Sequence, residues 1–425
     1  MATAKEKNKV QKKETQNPQT QEPEDNKTIQ ERIENFLSFN YEFKFNEITK
    51  VCFYRENALS NPSITPDTPF EPVNFDNIMR KIGKKFHFKY GISQLQSTLR
   101  SDYVPRYNPF KDWYCNLTKW DGKDYIKALS DCIILSSDKY ENGELVEQNL
   151  SERVRLETML KKWLVRAVRC LMGGAINREV FMFFSMEQRI GKSKFFEYLV
   201  PTELKNYSLM NPKIKNVGNN ELFAPLAKNF IINFDEYDTL IYDGCIPALK
   251  SYISSETASY RTLYSTADWV HEPRICSFVA STNIPDFLRD ETGNSRYICF
   301  DVQKFDYQTY LKTDVNLIWS QAKYLFENGF DCDMTKQELS ENNENNIKYL
   351  YHTTEYELIS KIYEPSGDEN DFMTSTEIAQ ELKESHFKIT PQSVGRAMSA
   401  LKIRRVHSKK DNRQMGYYIR KKTDF

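Results

Sequence analysis

The chain has 425 residues, with 59 Lys+Arg against 59 Asp+Glu and a formal charge of zero, so a polybasic nucleic-acid coat is excluded and attraction to a polyanion must be local. That length suggests two or three domains, and charges interrupt every apolar run well short of the ~18 residues of a membrane span. The eight cysteines include no CxxC pair and no histidine at zinc-ligand spacing, and Lys5, Lys7, Lys9, Lys12 and Lys13 precede no apolar segment, so a cytoplasmic protein with buried thiols is expected.

Residues 1–28 carry almost nothing apolar and are expected to be a disordered tail. Residues 29–150 read as a helical N-terminal accessory region, with helices expected over 75–86 and 93–102. Lys81, Lys84, Lys85 and Lys89 there alternate with Phe86, Phe88 and Tyr90. That is either a basic-aromatic nucleic-acid surface or, more plainly, a solvated face beside a core face. Over 154–171, Leu156, Met159, Leu160, Trp163, Leu164, Ala167, Val168 and Leu171 recur at helical spacing, and Gly173-Gly174 ends the helix. Four apolar runs, 180–184, 229–234, 275–281 and 297–302, read as buried strands. Separated by helical or hairpin stretches, they predict an α/β domain over 151–338 built on a parallel sheet. A helix is expected over 310–328, a polar insertion at 341–346, and a linker at 365–370 that closes a connector running over 339–370. Residues 371–425 give helix, helix and a two-stranded wing, the order of a winged helix, with Thr390 and Pro391 opening its second helix.

Gly191-Lys192-Ser193 follows the first strand and opens a helix. In a phosphate-binding loop such a helix start offers N–H groups to phosphates, Lys reaches the β/γ-phosphates and Ser holds Mg²⁺. The full pattern wants Gly where Met186 stands, so the loop Met186-Glu187-Gln188-Arg189-Ile190-Gly191-Lys192-Ser193-Lys194 is degenerate. The second strand ends in Asp235-Glu236, where Asp235 suits the Mg²⁺ shell and Glu236 suits polarising water. Asn283 ends the next strand and suits sensing the γ-phosphate; a turn Asn before Pro285 is the alternative. Arg296 enters an otherwise apolar strand, as an arginine finger for a neighbouring subunit or in an ion pair with Asp290 or Glu291.

Asn108-Pro109-Phe110, Trp120-Asp121-Gly122, the run Gln188 to Phe195 and the run Phe287 to Tyr297 carry a resemblance. From Asn108 to about Glu364 the chain resembles the virulence-associated protein E family, P-loop ATPases of mobile genetic elements related to superfamily 3 and other AAA+ replicative helicases. The family usually has glycines where Met186 and Arg189 stand. The resemblance implies an AAA+-type core using ATP and Mg²⁺, a ring of subunits expected as a hexamer, and any primase supplied as a separate protein. It also implies a DNA-gripping channel insertion between the acid strand and the Asn283 strand. The run 260–271 reads as that hairpin, with Lys250, Arg261, Tyr264, Trp269 and His271 offering charge and rings to single-stranded DNA. At the other end of the chain, Arg396, Lys402, Arg404, Arg405, Lys409, Lys410, Arg413, Arg420, Lys421 and Lys422 face only Asp411 among nearby acids. That local polarity suits duplex or fork DNA. The expected function is an ATP-dependent DNA helicase or translocase in replication of a mobile element. The alternatives are a non-enzymatic DNA-binding or assembly protein on an altered ATPase fold, and a nucleic-acid-triggered defence ATPase.

Overall fold

The computed structural model describes residues 27–65, 68–86, 90–141, 144–214, 222–242, 245–261, 269–289, 294–351, 353–383, 389–409 and 413–422. All but the end of the expected tail lies outside these; Thr28 caps the first helix through its side chain, with Glu31 completing the capping box. Lys89 and Phe88 of the basic-aromatic run also lie outside.

The chain divides into two compact units between Asn108 and Pro109. The first contains α1 (Ile29–Asn40), β1 (Tyr41–Asn46), β2 (Cys52–Glu56), β3 (Glu71–Pro72), α2 (Phe75–Phe86), α3 (Ile92–Arg100) and β4 (Arg106–Tyr107). Its strands form a sheet in the order β3-β2-β1-β4, so the helical region expected here is mixed. Alternation along β1 drives this: Tyr41, Phe43 and Phe45 turn inward onto Ile33, Leu37, Ile78 and Leu95.

The second unit begins with α4 (Pro109–Asn116), α5 (Tyr125–Asp131), β5 (Ile133–Leu135), β6 (Lys139–Glu141), β7 (Glu144–Glu147) and α6 (Leu150–Leu171). The accessory region expected to reach residue 150 therefore ends earlier. Trp113 of α4 donates to Asn316 at 2.9 Å and β5 pairs with a later core strand. Helix α6 starts at an Asn149 cap, before the expected 154. It ends in a Schellman turn, the Gly174 N–H reaching the Arg169 carbonyl at 2.9 Å and Gly173 adopting φ 80°.

The core continues with β8 (Val180–Phe184), α7 (Lys192–Tyr198), β9 (Ser208–Met210), α8 (Ala224–Lys228), β10 (Ile231–Phe234), α9 (Tyr237–Tyr242), α10 (Ile246–Ser254), β11 (Thr257–Tyr260), β12 (Val270–Pro273), β13 (Ser277–Thr282) and β14 (Tyr297–Phe305). The sheet order is β5-β14-β8-β13-β10-β9. Neighbours from β14 to β9 run parallel, and β5 is antiparallel at the edge. Strands β8, β10 and β13 are buried along their whole length, which explains their unbroken apolar runs. Against one face Phe183 stacks on Phe196 of α7 at 4.8 Å, with Phe195 and Phe305 edge-on to it. Removing one such ring, as in Phe195→Ala, costs about 3–5 kcal/mol.

Next come α11 (Tyr307–Tyr310), α12 (Val315–Glu327) and α13 (Lys336–Asn346). The run 341–346, expected as a polar insertion, is the end of α13, with Asn342 and Asn346 wholly buried. The last elements are α14 (Thr354–Ile362), β15 (Tyr363–Pro365), β16 (Phe372–Met373), α15 (Ser375–Leu382), α16 (Pro391–Ala400), β17 (Val406–His407) and β18 (Met415–Lys421). Strands β15, β16 and β17 all pair antiparallel with β18. The expected linker is built into this unit: Pro365 pairs with Ile419 and the Ser366 N–H reaches the Tyr418 carbonyl. Ile359 and Tyr363 share a core with Ile378, Val394 and Ile419, so this core reaches back to α14.

Candidate functional site

Three parallel strands bring their carboxyl ends to one edge of the sheet, where the side chains that leave them converge. Past β8 the chain turns outward: Met186, Glu187, Gln188 and Arg189 are exposed and Ile190 is half-buried. Two residues of this loop have left-handed backbone, Gly191 at φ 102° and Arg189 at φ 61°. Arg189 thus takes a conformation glycine adopts freely, at a cost of roughly 1–2 kcal/mol for an L side chain.

The Lys192 amine does not reach solvent freely; the residue is only 7% exposed. It donates to the carbonyls of Ser185 at 3.2 Å and Glu187 at 3.4 Å, and to Asn283 Oδ1. Burial pushes its pKa down to about 8, against the opposing pull of Asp235, Asp238 and Asp301. Ser193 Oγ donates to Asp235, 2.9 Å from both carboxylate oxygens, and Ser281 Oγ donates to the same carboxylate. Lys192, Ser193, Asp235 and Asn283 are therefore gathered at one edge, with two hydrogen-bonded pairs side by side. A hydroxyl and a carboxylate in contact are hard oxygen donors suited to Mg²⁺.

Glu236 is exposed, with left-handed backbone at φ 53°. Arg296 sits in a 3-10 turn, Asn294–Arg296, and donates from Nε to Ser254 Oγ at 3.1 Å. Asp290 and Glu291, its alternative partners, lie outside the described residues. Lys194 is exposed on the first turn of α7, its amine 5.9 Å from the Tyr307 ring centre.

Two participants are not apparent from the motifs. Ser281 shares a face with Asn283 by strand alternation, and that spacing is the signal that could have found it. Tyr307 carries no such signal: it arrives from beyond β14, donates to the Ile190 carbonyl at 2.7 Å and lies so close to Gly191 that a Cβ there would fall 1.1 Å from its hydroxyl.

The expected hairpin is present as the antiparallel pair β11 and β12, register Thr257↔Pro273 to Tyr260↔Val270. Its tip, including Tyr264, lies outside the described residues. At the head of the stem Arg261 is exposed and Trp269 is 50% exposed. The His271 ring shares a hydrogen bond with Ser259 Oγ at 2.9 Å, and Lys250 lies half-buried on α10.

In the C-terminal unit the charges divide. Lys409 pairs with Glu369, Arg420 with Glu364 and Lys421 with Glu381, acids that a count along 396–422 leaves out. Arg396, Lys402, Arg404 and Arg405 make no ion pair among the described residues; they line a groove of about 840 Å³ between α16 and β18. Arg413 is exposed just before β18, and Lys410 lies outside the described residues.

The solved structures similar to this chain include the apo structure of the NrS-1 C-terminal region, at 11% identity over 87% of this chain and 85% of that one, TM-score 0.38. An A-form apo structure of the same region gives 11% identity over the same shares at TM-score 0.39. Another gives 13% identity over 77% and 76% at 0.36. No curated protein matches the sequence. The model of the virulence-associated protein E-like domain matches residues 115–351. That span holds the sheet, the Lys192–Ser193–Asp235–Asn283 cluster and the β11–β12 hairpin, and the chain belongs to the virulence-associated protein E-like domain family.

Proposed function

We propose that this chain is a Mg²⁺-dependent ATPase that acts on DNA in replication of a mobile element, on an AAA+-type core followed by a winged helix. The observation that carries the reading is the Ser193–Asp235 contact beside the buried Lys192 amine and Asn283. The sheet order supports the AAA+ assignment, since the loop strand β8 lies beside β13, with β10 and its acid one strand further out.

In this reading Ser193 and Asp235 hold Mg²⁺, which supplies charge neutralisation at the β/γ-phosphates. Lys192 leaves the loop carbonyls for phosphate oxygens, and Asn283, already bonded to that amine, follows the γ-phosphate. Glu236 orients the attacking water, and Arg296 reaches a neighbouring subunit's nucleotide in a ring, which we take to be a hexamer. Arg261 and Trp269, together with Tyr264, Lys250 and His271, contact single-stranded DNA, while Arg396, Arg404, Arg405 and Arg413 contact duplex or fork phosphates.

The experiment is phosphate release from ATP with and without single-stranded DNA, together with displacement of a labelled strand from a fork. DNA-stimulated release that falls with Arg261→Ala, and ATP-dependent displacement, are expected. The exposed Met186 and left-handed Arg189 favour one competing reading, an assembly protein that binds DNA without turnover. DNA binding with no hydrolysis would replace the proposal with it.

A further inference from the structure

Glu236 follows the end of β10 and Arg296 precedes the start of β14, yet the residue after each is a buried tyrosine, and the two hydroxyls meet. Tyr237 Oη and Tyr297 Oη lie 2.8 Å apart and the rings pack edge to face at 5.8 Å. Tyr237 is 1% exposed and Tyr297 5%. Left-handed backbone at Glu236 persists only where the surroundings over-determine it, and the next residue is locked on this side by Tyr297 and on another by Phe287 at 6.4 Å.

The Arg296 end is held as firmly. The Tyr297 carbonyl accepts from Asn342 Nδ2 and Asn346 Nδ2, both at 2.8 Å, and Asn346 also donates to the Asn294 carbonyl at 2.8 Å. Both asparagines are wholly buried on α13, so the backbone on either side of Arg296 is clamped. A buried polar network of this kind specifies one geometry.

We infer that the Tyr237–Tyr297 hydroxyl pair is a positioning link that fixes Glu236, the acid of one nucleotide site, relative to the half-buried Arg296 of the same subunit. The pair thereby holds the Glu236 backbone in register with Arg296, Asn342 and Asn346 supplying the fixed end. The inference rests on the nucleotide reading above and adds a coupling between its two ends. Tyr237 and Tyr297 are buried against each other and act through their neighbours, as positioning rather than catalytic residues.

The test is a double-mutant cycle with Tyr237→Phe, Tyr297→Phe and the double variant, which keep the rings and remove only hydroxyls. Turnover, KM for ATP and melting temperature are measured on the full chain. Each single variant should fall about tenfold in kcat with KM within about twofold of wild type, and the double variant should be no slower than the worse single one. Effects that multiply in the double variant, a change in KM alone, unchanged kcat, or turnover that merely follows melting temperature would each overturn the link while leaving the ATPase reading intact. A wild-type chain without hydrolysis would overturn both, and the wild-type control alone reveals it.

Discussion

The Lys192 amine gives the nucleotide reading a proton signature. With its pKa lowered by burial to about 8, the free protein holds the amine roughly one-tenth neutral at pH 7, half neutral at pH 8 and nine-tenths neutral at pH 9. Triphosphate beside the amine restores the charged form, so binding takes up about half a proton at pH 8, and affinity for Mg-ATP falls about tenfold from pH 7 to pH 9. Folding carries the opposite sign. A lysine whose folded value lies below its unfolded one penalises the native state at pH below about 8, and that penalty is relieved as pH rises toward about 10.5. Weakened binding in this window is therefore not local unfolding linked to Lys192. Titration calorimetry at pH 7, 8 and 9, in two buffers of different ionisation enthalpy, reads both affinity and proton uptake. Lys192→Arg, whose guanidinium stays charged, should flatten the dependence. Equal wild-type affinity at pH 7 and 9 with no buffer-dependent heat would refute the placement of phosphate at this amine.

Other perturbations separate the remaining parts. Arg396→Gln with Arg404→Gln and Arg405→Gln should reduce the log–log salt slope of duplex binding by roughly 0.9 for each phosphate that is no longer neutralised. Lys409→Gln, already paired with Glu369, should change it little; the reverse ranking in a fluorescence-anisotropy salt series would move the DNA-binding surface to the wing tip. Gly191→Ala places a Cβ on the Tyr307 hydroxyl and should lower the melting temperature and abolish ATP binding. Gly329→Ala, also at positive φ but in open space, should cost only about 1 kcal/mol in denaturant titration. Arg296→Ala subunits mixed with Lys192→Ala subunits should regain turnover where the intact loop of one meets the intact arginine of the other; no recovery in co-assembled mixtures, read in a steady-state assay, would exclude action across subunits.

How far the sequence carries this picture depends on the range of each interaction. The strand 180–184, the Gly191-Lys192-Ser193 turn and the acids after β10 are local patterns, and Ser193 and Asp235 meet as the strand order requires. Tyr307 is 116 residues beyond Gly191 in the sequence, and no local pattern announces a hydroxyl on the Ile190 carbonyl. The run 341–346 misleads because hydropathy scores Asn342 and Asn346 as solvent-seeking, whereas they are buried by bonding backbone carbonyls. The C-terminal charges are over-counted along the sequence because Glu364, Glu369 and Glu381 come from elements outside the basic run. In the first unit the alternation along β1 is legible, but β3 and β4 are two-residue strands far from it in the chain, too short to show a period.

The most direct measurement is Mg²⁺-dependent phosphate release from ATP by the wild-type chain beside Glu236→Gln and Lys192→Ala, with ATP binding titrated on each. Hydrolysis by the wild type alone is predicted, with Glu236→Gln still binding ATP and Lys192→Ala deficient in both binding and turnover. Hydrolysis persisting undiminished in Lys192→Ala would contradict the assignment of this site.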